Sequence, residues 1–259
     1  MGTGEAIYNI MKILEDYTAL SNLYNNRKVY KILYNDMVCC YKTNAIQETK
    51  LLRSLNVSAK INVPKLIDYN LKEGWIIKEW CSGKTLDHYT DWDADMIRQF
   101  YKFTKDLFYH LHPRNLVLQD FKPFNISYGE KFMYFDLDWV VDVNTQFANS
   151  LGVKKYLYKS YESLYGLPLA STNDDYFSFA TTVYNSLVGP PEWSNSKKDP
   201  MEAHEQYEKE YDILSVKLYS KLIQTELKSN EISFIIDCLN PFRQYRPQLF
   251  NWDNYSSCS

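Results

Sequence analysis

Short apolar runs separated by turn residues dominate the first third of the chain and predict strands. Residues 28–34 (KVYKILY) and 37–42 (MVCCYK) flank the turn pair Asn35-Asp36, which predicts a hairpin. Residues 45–55 place apolar side chains at a helical period instead. The segments PKLIDYN and GWIIKEW predict two more strands, so this part of the chain should form a small sheet with one helix.

The later part of the chain follows mainly a helical period. Residues 93–112 carry one apolar stripe, with acidic residues in the first turn as the N-terminus of a helix prefers. Residues 174–189 are apolar on nearly every side, which predicts a buried helix with Asp174 as its cap. Further helices are expected over residues 204–229 and 230–239. A β-rich part followed by a larger helical part indicates an α+β fold with a hinge near residues 81–83.

Composition narrows the class of protein. The chain has 259 residues, of which 45% are hydrophobic, enough for one large domain or two small ones. A net charge of −3 implies no general attraction to nucleic acid or to an anionic membrane. There is no apolar run of about 18 residues that would span a bilayer. The five cysteines are odd in number and irregularly spaced, which favours a reducing compartment such as the cytoplasm.

Polar side chains cluster in residues 116–140 (LVLQDFKPFNISYGEKFMYFDLDWV) beside short apolar runs. A hairpin here would bring the amide of Asn125 near the carboxylate of Asp136, and Mg²⁺ prefers such oxygen ligands. Asp120 has no obvious partner and could orient a hydroxyl as a base. Lys122 could neutralise the charge of a phosphate. A metal, a base and a cation close together predict a phosphoryl-transfer site.

The same residues resemble motifs of the protein kinases. QDFKPFNI resembles the kinase catalytic loop, which implies Asp120 as the catalytic base and Asn125 as a magnesium ligand. In this resemblance Lys122 is the lysine typical of kinases that act on serine or threonine. FDLD resembles the Asp-Phe-Gly element and implies Asp136 as the main magnesium ligand.

Three later segments extend the resemblance. SYESLYG is similar to the Ala-Pro-Glu element, with Glu162 as its glutamate. DYFSFA is similar to the start of the buried kinase helix and implies that Asp175 braces the catalytic loop. CLNPFRQYRPQ is similar to an element near the kinase C-terminus, where Arg246 would pair with Glu162. The elements occur in the family's order and cover residues 28–248, nearly the whole chain.

Upstream segments resemble the nucleotide-binding part of a kinase. VCCYK implies Lys42 as the phosphate-binding lysine, with Lys31 as a weaker candidate. ETKLLRSL implies Glu48 as the ion-pair partner of Lys42. IIKEWCSGKTL resembles the hinge, where the carbonyl of Glu79 and the N–H of Cys81 would bind adenine.

Several positions depart from the kinase pattern. The segment LSNLYNNRKVYK, where a glycine-rich loop is expected, has no glycine; the pair Asn25-Asn26 could supply the turn. Leu118-Gln119 replace His-Arg, so we expect activity without phosphorylation of the activation loop. Asp138 replaces a glycine. Lys78 lies at the position beside adenine, and it should either pair with Glu48 or fold over the pocket.

The resemblance implies a two-lobed, protein-kinase-like α+β fold that binds nucleotide between its lobes. Residues 1–80 would form the N-lobe and residues 81–259 the C-lobe. It further implies ATP and Mg²⁺ as cofactors and transfer of the γ-phosphoryl group to a serine or threonine hydroxyl of a protein substrate. Two alternatives stay open. Asp138 favours a small-molecule kinase of the aminoglycoside or choline type. Lys78 and the glycine-free loop favour a pseudokinase that acts as a binding or regulatory module.

Overall fold

The computed structural model divides the chain into two compact units. It describes residues 11–16, 28–56, 61–145, 158–160, 169–190, 200–253 and 255–256. The first unit comprises Met1–Gly83 and Ser127–Asp138, and the second comprises Lys84–Ile126 and Trp139–Ser259. The first is rich in strands and the second is mainly helical, which confirms the expected α+β class.

Within the described residues the regular elements are strands and α-helices joined by short turns. The strands are β1 (Met11–Asp16), β2 (Val29–Tyr34), β3 (Met37–Thr43), β4 (Leu66–Asn70), β5 (Trp75–Glu79), β6 (Lys84–Thr85), β7 (Leu116–Val117), β8 (Ile126–Tyr128), β9 (Phe132–Tyr134) and β10 (Val141–Asp142). The α-helices are α1 (Ile46–Asn56), α2 (Ala94–Leu111), α3 (Thr172–Leu187), α4 (Pro200–Leu222) and α5 (Ser229–Cys238).

A five-stranded antiparallel sheet in the order β1-β2-β3-β5-β4 forms the body of the first unit. The turn between β2 and β3 uses Asn35 and Asp36 at φ of 48° and 59°. A two-residue hairpin turn with positive φ at both positions is the kind that Asn and Asp accept most readily, so the predicted hairpin is confirmed. Helix α1 begins three residues after β3 ends and packs on β4 and β5.

Strand β1 was not expected from the sequence. It pairs with β2 at the edge of the sheet and has an irregularity between Ile13 and Glu15. The side chains of residues 12–15 are all exposed, so these four positions show no alternation of buried and exposed side chains. A strand without that alternation carries no periodic signal in its sequence.

Gly83, the last residue of Met1–Gly83, lies against the backbone of another segment of the first unit. Gly83 has a φ of +93°, and a Cβ at this position would overlap the carbonyl oxygen of Tyr128 and lie 2.8 Å from the nitrogen of Gly129. We expect Gly83→Ala to lower the free energy of unfolding by about 2–5 kcal/mol, because it adds a steric clash to the strain of positive φ. Thermal and urea unfolding measure this loss.

Gly189→Ala is the matched control for that prediction. Gly189 has a φ of +95°, but within the described part of the chain no atom beyond its two neighbours lies within 4 Å of the position its Cβ would take. Gly189→Ala should therefore lower the free energy of unfolding only by the strain of positive φ, about 1–2 kcal/mol. If both variants lost the same free energy of unfolding, the close contact of Gly83 with Tyr128 would not be the cause of the larger loss expected for Gly83→Ala.

Buried faces of α2, α3 and α5 form the core of the second unit. Asp93 caps α2 by accepting a hydrogen bond from the N–H of Met96 at 2.8 Å. Phe100 on α2 stacks on Phe179 of α3 with ring centroids 5.4 Å apart, and Phe250 packs edge-on against Phe179. These contacts confirm the two helices predicted for this core. No helix in the described part of the chain is both long and apolar enough to cross a bilayer.

The predicted cap of α3 was wrong by one turn. Ser171 is the N-cap and accepts a hydrogen bond from the N–H of Asn173, while Asp174 occupies the third helical position. The Asp174 carboxylate accepts the N–H of Ser171 at 3.0 Å, which completes a capping box. Helix α4 also begins earlier than predicted, at Pro200, a residue suited to the first turn of a helix.

Candidate active site

A buried ion pair joins β3 to α1 in the first unit. Lys42 lies near the end of β3, and the short connection to α1 brings Glu48, in the first turn of that helix, back to the strand. Lys42 Nζ lies 2.8 Å from Glu48 Oε2. The side chains are 6% and 0% exposed. The close spacing in sequence therefore places the two expected partners in direct contact.

Two aspartates that follow β9 also meet this lysine. Asp136 Oδ1 lies 3.0 Å from Lys42 Nζ, and Asp138 Oδ2 accepts a hydrogen bond from the same ammonium group. Glu48, Asp136 and Asp138 each offer a carboxylate oxygen within 4.8 Å of the others. Lys42 is thus surrounded by three carboxylates, of which the sequence resemblance paired only Glu48 with it.

Lys78 on β5 approaches the same glutamate from a different strand. Its Nζ donates to Glu48 Oε1 and, at 2.6 Å, to the carbonyl oxygen of Phe135. Of the two conformations that the sequence left open, the structure shows the pairing with Glu48. Each oxygen of Glu48 therefore binds one lysine: Oε2 binds Lys42 and Oε1 binds Lys78.

The charges of this cluster set the ionisation of its members. Burial raises the pKa of Glu48, but Lys42 and Lys78 outweigh burial and hold the pKa below its ordinary value. Burial also raises the pKa of Asp136, but Lys42, the hydrogen bond with Asp138 and the charge of Lys78 together lower it strongly. Burial, with Glu48 and Asp136, raises the pKa of Asp138 to about 7 against the opposing charge of Lys42. Glu48 and Asp136 are therefore ionised near neutral pH.

In the segment expected to bind adenine, Glu79 is hydrogen-bonded to Lys65, the residue before β4. The N–H of Glu79 donates to the carbonyl of Lys65 at 2.9 Å, and the Glu79 carboxylate accepts the N–H of Lys65 at 3.1 Å. Burial raises the pKa of the Cys81 thiol to about 12, so this cysteine stays neutral. Lys31, the weaker candidate for a phosphate lysine, pairs with Glu15 at 2.8 Å and lies over the ring of Trp80.

A compact polar loop in the second unit carries the other predicted residues. The Asp120 carboxylate accepts hydrogen bonds from Lys122 Nζ at 2.5 Å and from Asn125 Nδ2 at 2.9 Å. Asn125 also donates to the carbonyl oxygen of Asp120. The expectation that Asp120 has no obvious partner was therefore wrong. The short 3-10 turn Pro123–Asn125 folds the chain back, so residues two and five positions away reach the carboxylate.

A buried carboxylate on α3 fixes the start of this loop. Both oxygens of Asp175 accept the N–H of Leu118, at 3.1 and 3.2 Å, and Asp175 Oδ2 lies 2.9 Å from His112 Nε2. Gln119 follows in the left-handed region, with a φ of 56°. The N–H of Asp120 then donates to the carbonyl of Leu118 in a tight turn. The contact with His112 was not expected from the sequence.

Arg246 is buried beside α3 with a partner that sequence reasoning missed. Its guanidinium lies 3.5 Å from Asp174 Oδ1 and donates to three nearby backbone carbonyls. Arg243 Nη2 binds both oxygens of Asp174, at 3.0 and 2.8 Å. Glu162, the expected partner of Arg246, lies outside the described residues, as does the pair Asn25-Asn26. The sequence pattern Ser171-x-x-Asp174, which is typical of a capping box, could have indicated that the Asp174 carboxylate is fixed at this place.

The residues of the candidate site fall within a match to a known protein family. A family model described as "Protein kinase domain" matches residues 17–253. No curated protein sequence matches the chain. The match spans nearly the whole chain and includes every member of the lysine–carboxylate cluster and of the Asp120 loop.

Proposed function

Because the chain belongs to the protein kinase family by a match over residues 17–253, we propose that it transfers the γ-phosphoryl group of ATP to a serine or threonine hydroxyl of a protein. The observation that carries this proposal is the Asp120 loop, in which a carboxylate is held by the neighbouring groups of Lys122 and Asn125. Residues 1–80 would act as the nucleotide-binding N-lobe and residues 81–259 as the catalytic C-lobe.

The chemistry of the donor set fits Mg²⁺ and ATP. Asn125 uses its amide nitrogen for Asp120, which turns its Oδ1 away from that carboxylate. The side chain of Asp136 is ionised and 25% exposed. An amide oxygen and a carboxylate beside substrate phosphates are the ligands that Mg²⁺ prefers, so we assign both residues as its ligands. When bound with ATP, the metal neutralises charge on the phosphates.

Asp120 is assigned the role of base. Its carboxylate would accept a hydrogen bond from the substrate hydroxyl, orient that oxygen towards the γ-phosphorus and accept its proton. Lys122 is 2% exposed and donates to the same carboxylate, which supports a role for its charge beside the transferring phosphoryl group, where negative charge develops. We assign Lys122 to stabilise the transferring phosphoryl group. A lysine at this place supports serine or threonine as the acceptor.

Lys42 is assigned to the inner phosphates of the nucleotide. Its ammonium is held by Glu48, Asp136 and Asp138, and phosphate oxygens would replace an aspartate when ATP binds. Glu48 would remain as the partner that orients it. The carbonyl of Glu79 and the N–H of Cys81 would bind the adenine. A protein substrate and a cytoplasmic location complete the proposal.

One observation favours a second candidate function. Asp138 contacts Lys42 directly, at a position where protein kinases carry glycine. Small-molecule kinases of the aminoglycoside and choline type often carry an acid there. A small hydroxyl-bearing substrate is therefore the second candidate, and the acceptor must be identified by experiment.

The test offers several acceptors to the purified full-length chain with γ-labelled ATP and Mg²⁺. The acceptors are a basic protein, a tyrosine-containing polypeptide, choline and an aminoglycoside. We expect label on the basic protein, and acid hydrolysis should release phosphoserine or phosphothreonine. Label only on tyrosine would overturn the acceptor assignment. Label only on a small molecule would replace the leading proposal by the second candidate.

A further inference from the structure

We infer that Lys78 is a positioning residue of the phosphoryl-transfer site and that its charge compensates for the extra carboxylate of Asp138. This inference rests on the proposed kinase function. It assigns one common cause to two departures from the kinase pattern that look unrelated in sequence, since Lys78 and Asp138 lie on different segments of the first unit.

Lys78 connects three segments through one buried ammonium group. The residue is 3% exposed, and its Nζ donates to Glu48 on α1 and to the carbonyl of Phe135, directly before Asp136. Because the other oxygen of Glu48 binds Lys42, a change at Lys78 alters the partner that orients Lys42. Lys78 thus acts on the phosphate lysine through Glu48 and on the proposed metal ligand through the backbone of its neighbour.

The number of buried charges explains why a second lysine is needed. Asp138 is 5% exposed at its side chain and binds Lys42, which also faces Glu48 and Asp136. Without Lys78, one ammonium group would face Glu48, Asp136 and, where it is ionised, Asp138 in a buried site. Uncompensated buried charge is strongly destabilising, and Glu48 would then depend on Lys42 alone, which it shares with both aspartates. Lys78 supplies the missing positive charge next to Glu48.

The arrangement makes the loss of the Lys78 charge costly while Asp138 is present. A neutral side chain at position 78 leaves excess negative charge as long as Asp138 is present. Once Asp138 is also neutral, Lys42 faces only the carboxylates of Glu48 and Asp136, both of which are residues of the kinase pattern. The effect of removing the Lys78 charge should therefore depend on residue 138.

A double-mutant cycle on the full-length chain tests this dependence. Lys78→Met, Asp138→Asn and the double variant remove charge with little change in shape. We expect Lys78→Met to lower kcat about tenfold in the wild-type background and less than about threefold in the Asp138→Asn background. Lys78→Arg should retain most of the activity, because it keeps the charge. Lys50→Met, an exposed position on α1, is the matched control and should not change kcat in either background.

The outcomes separate this inference from the proposed function. An equal loss for Lys78→Met in both backgrounds, or no loss in either, would overturn the compensation. General misfolding of the site predicts no recovery by Asp138→Asn. If the wild-type chain transfers no phosphoryl group, the proposed function fails, but the same cycle read in melting temperature still tests the inference. Lys78→Met should then lower the melting temperature more in the wild-type background than in the Asp138→Asn background.

Discussion

Replacing Asp120 by asparagine should lower kcat by about 10²–10⁴-fold and leave the affinity for Mg²⁺-ATP nearly unchanged. Asparagine keeps the size of the side chain and an oxygen that can accept from Lys122 and Asn125, the partners seen in the structure. It cannot accept the proton of the substrate hydroxyl. Steady-state phosphorylation of a protein substrate measures kcat, and calorimetric titration with Mg²⁺-ATP measures the affinity.

Asp106→Asn is the matched control for this prediction. Asp106 is an exposed residue on α2 in the same unit, and the same substitution there should change neither quantity. Full activity in Asp120→Asn would remove Asp120 from the role of base. Loss of nucleotide binding together with activity would instead indicate that the residue maintains the structure of the loop.

Lys42→Met should lower kcat/KM for ATP by at least about 100-fold and weaken ATP binding as well. The ammonium of Lys42 contacts Glu48, Asp136 and Asp138, so its removal leaves these carboxylates with Lys78 as the remaining cation of the cluster. The phosphates of ATP would then meet negative charge in place of a cation. Initial rates at varied ATP and a direct binding titration measure the two effects.

The comparison with Lys31→Met decides between the two lysines that the sequence offered. Lys31 pairs with Glu15 near the sheet edge, so its replacement should leave kcat/KM within about threefold of wild type, as expected for a partly exposed ion pair. If Lys31→Met caused the larger loss, the assignment of Lys42 to the phosphates would be wrong.

Sequence patterns predicted those parts of the fold that local chemistry determines. The β2–β3 hairpin follows from Asn35-Asp36, which accept positive φ, and the start of α2 follows from the Asp93 cap. Strand β1 was missed because the side chains of residues 12–15 are exposed and the strand is held by pairing with β2. The cap of α3 was misplaced because Ser171 and Asp174 are both good capping residues, and only their joint geometry distinguishes the N-cap from the third position.

In the candidate site, too, contacts between residues close in sequence could be predicted, whereas contacts between distant residues could not. Lys42 and Glu48 are close in sequence and belong to adjoining elements, so their pairing could be foreseen. The contact of Lys42 with Asp138 joins residues 96 positions apart, and that of Lys78 with Phe135 involves a backbone carbonyl. Neither leaves a periodic or local signal. Motif comparison marked Lys78 and Asp138 as departures, but their relation to one another required the three-dimensional structure.

The most direct test of the central claim compares wild type with Asp136→Asn for transfer of the γ-phosphoryl group at varied Mg²⁺. A catalytic kinase should label a protein substrate in proportion to time, require Mg²⁺, and lose at least about 100-fold in rate when the Asp136 carboxylate becomes an amide. Binding of ATP by the wild-type chain without transfer to any acceptor would contradict the account and identify the chain as a binding module.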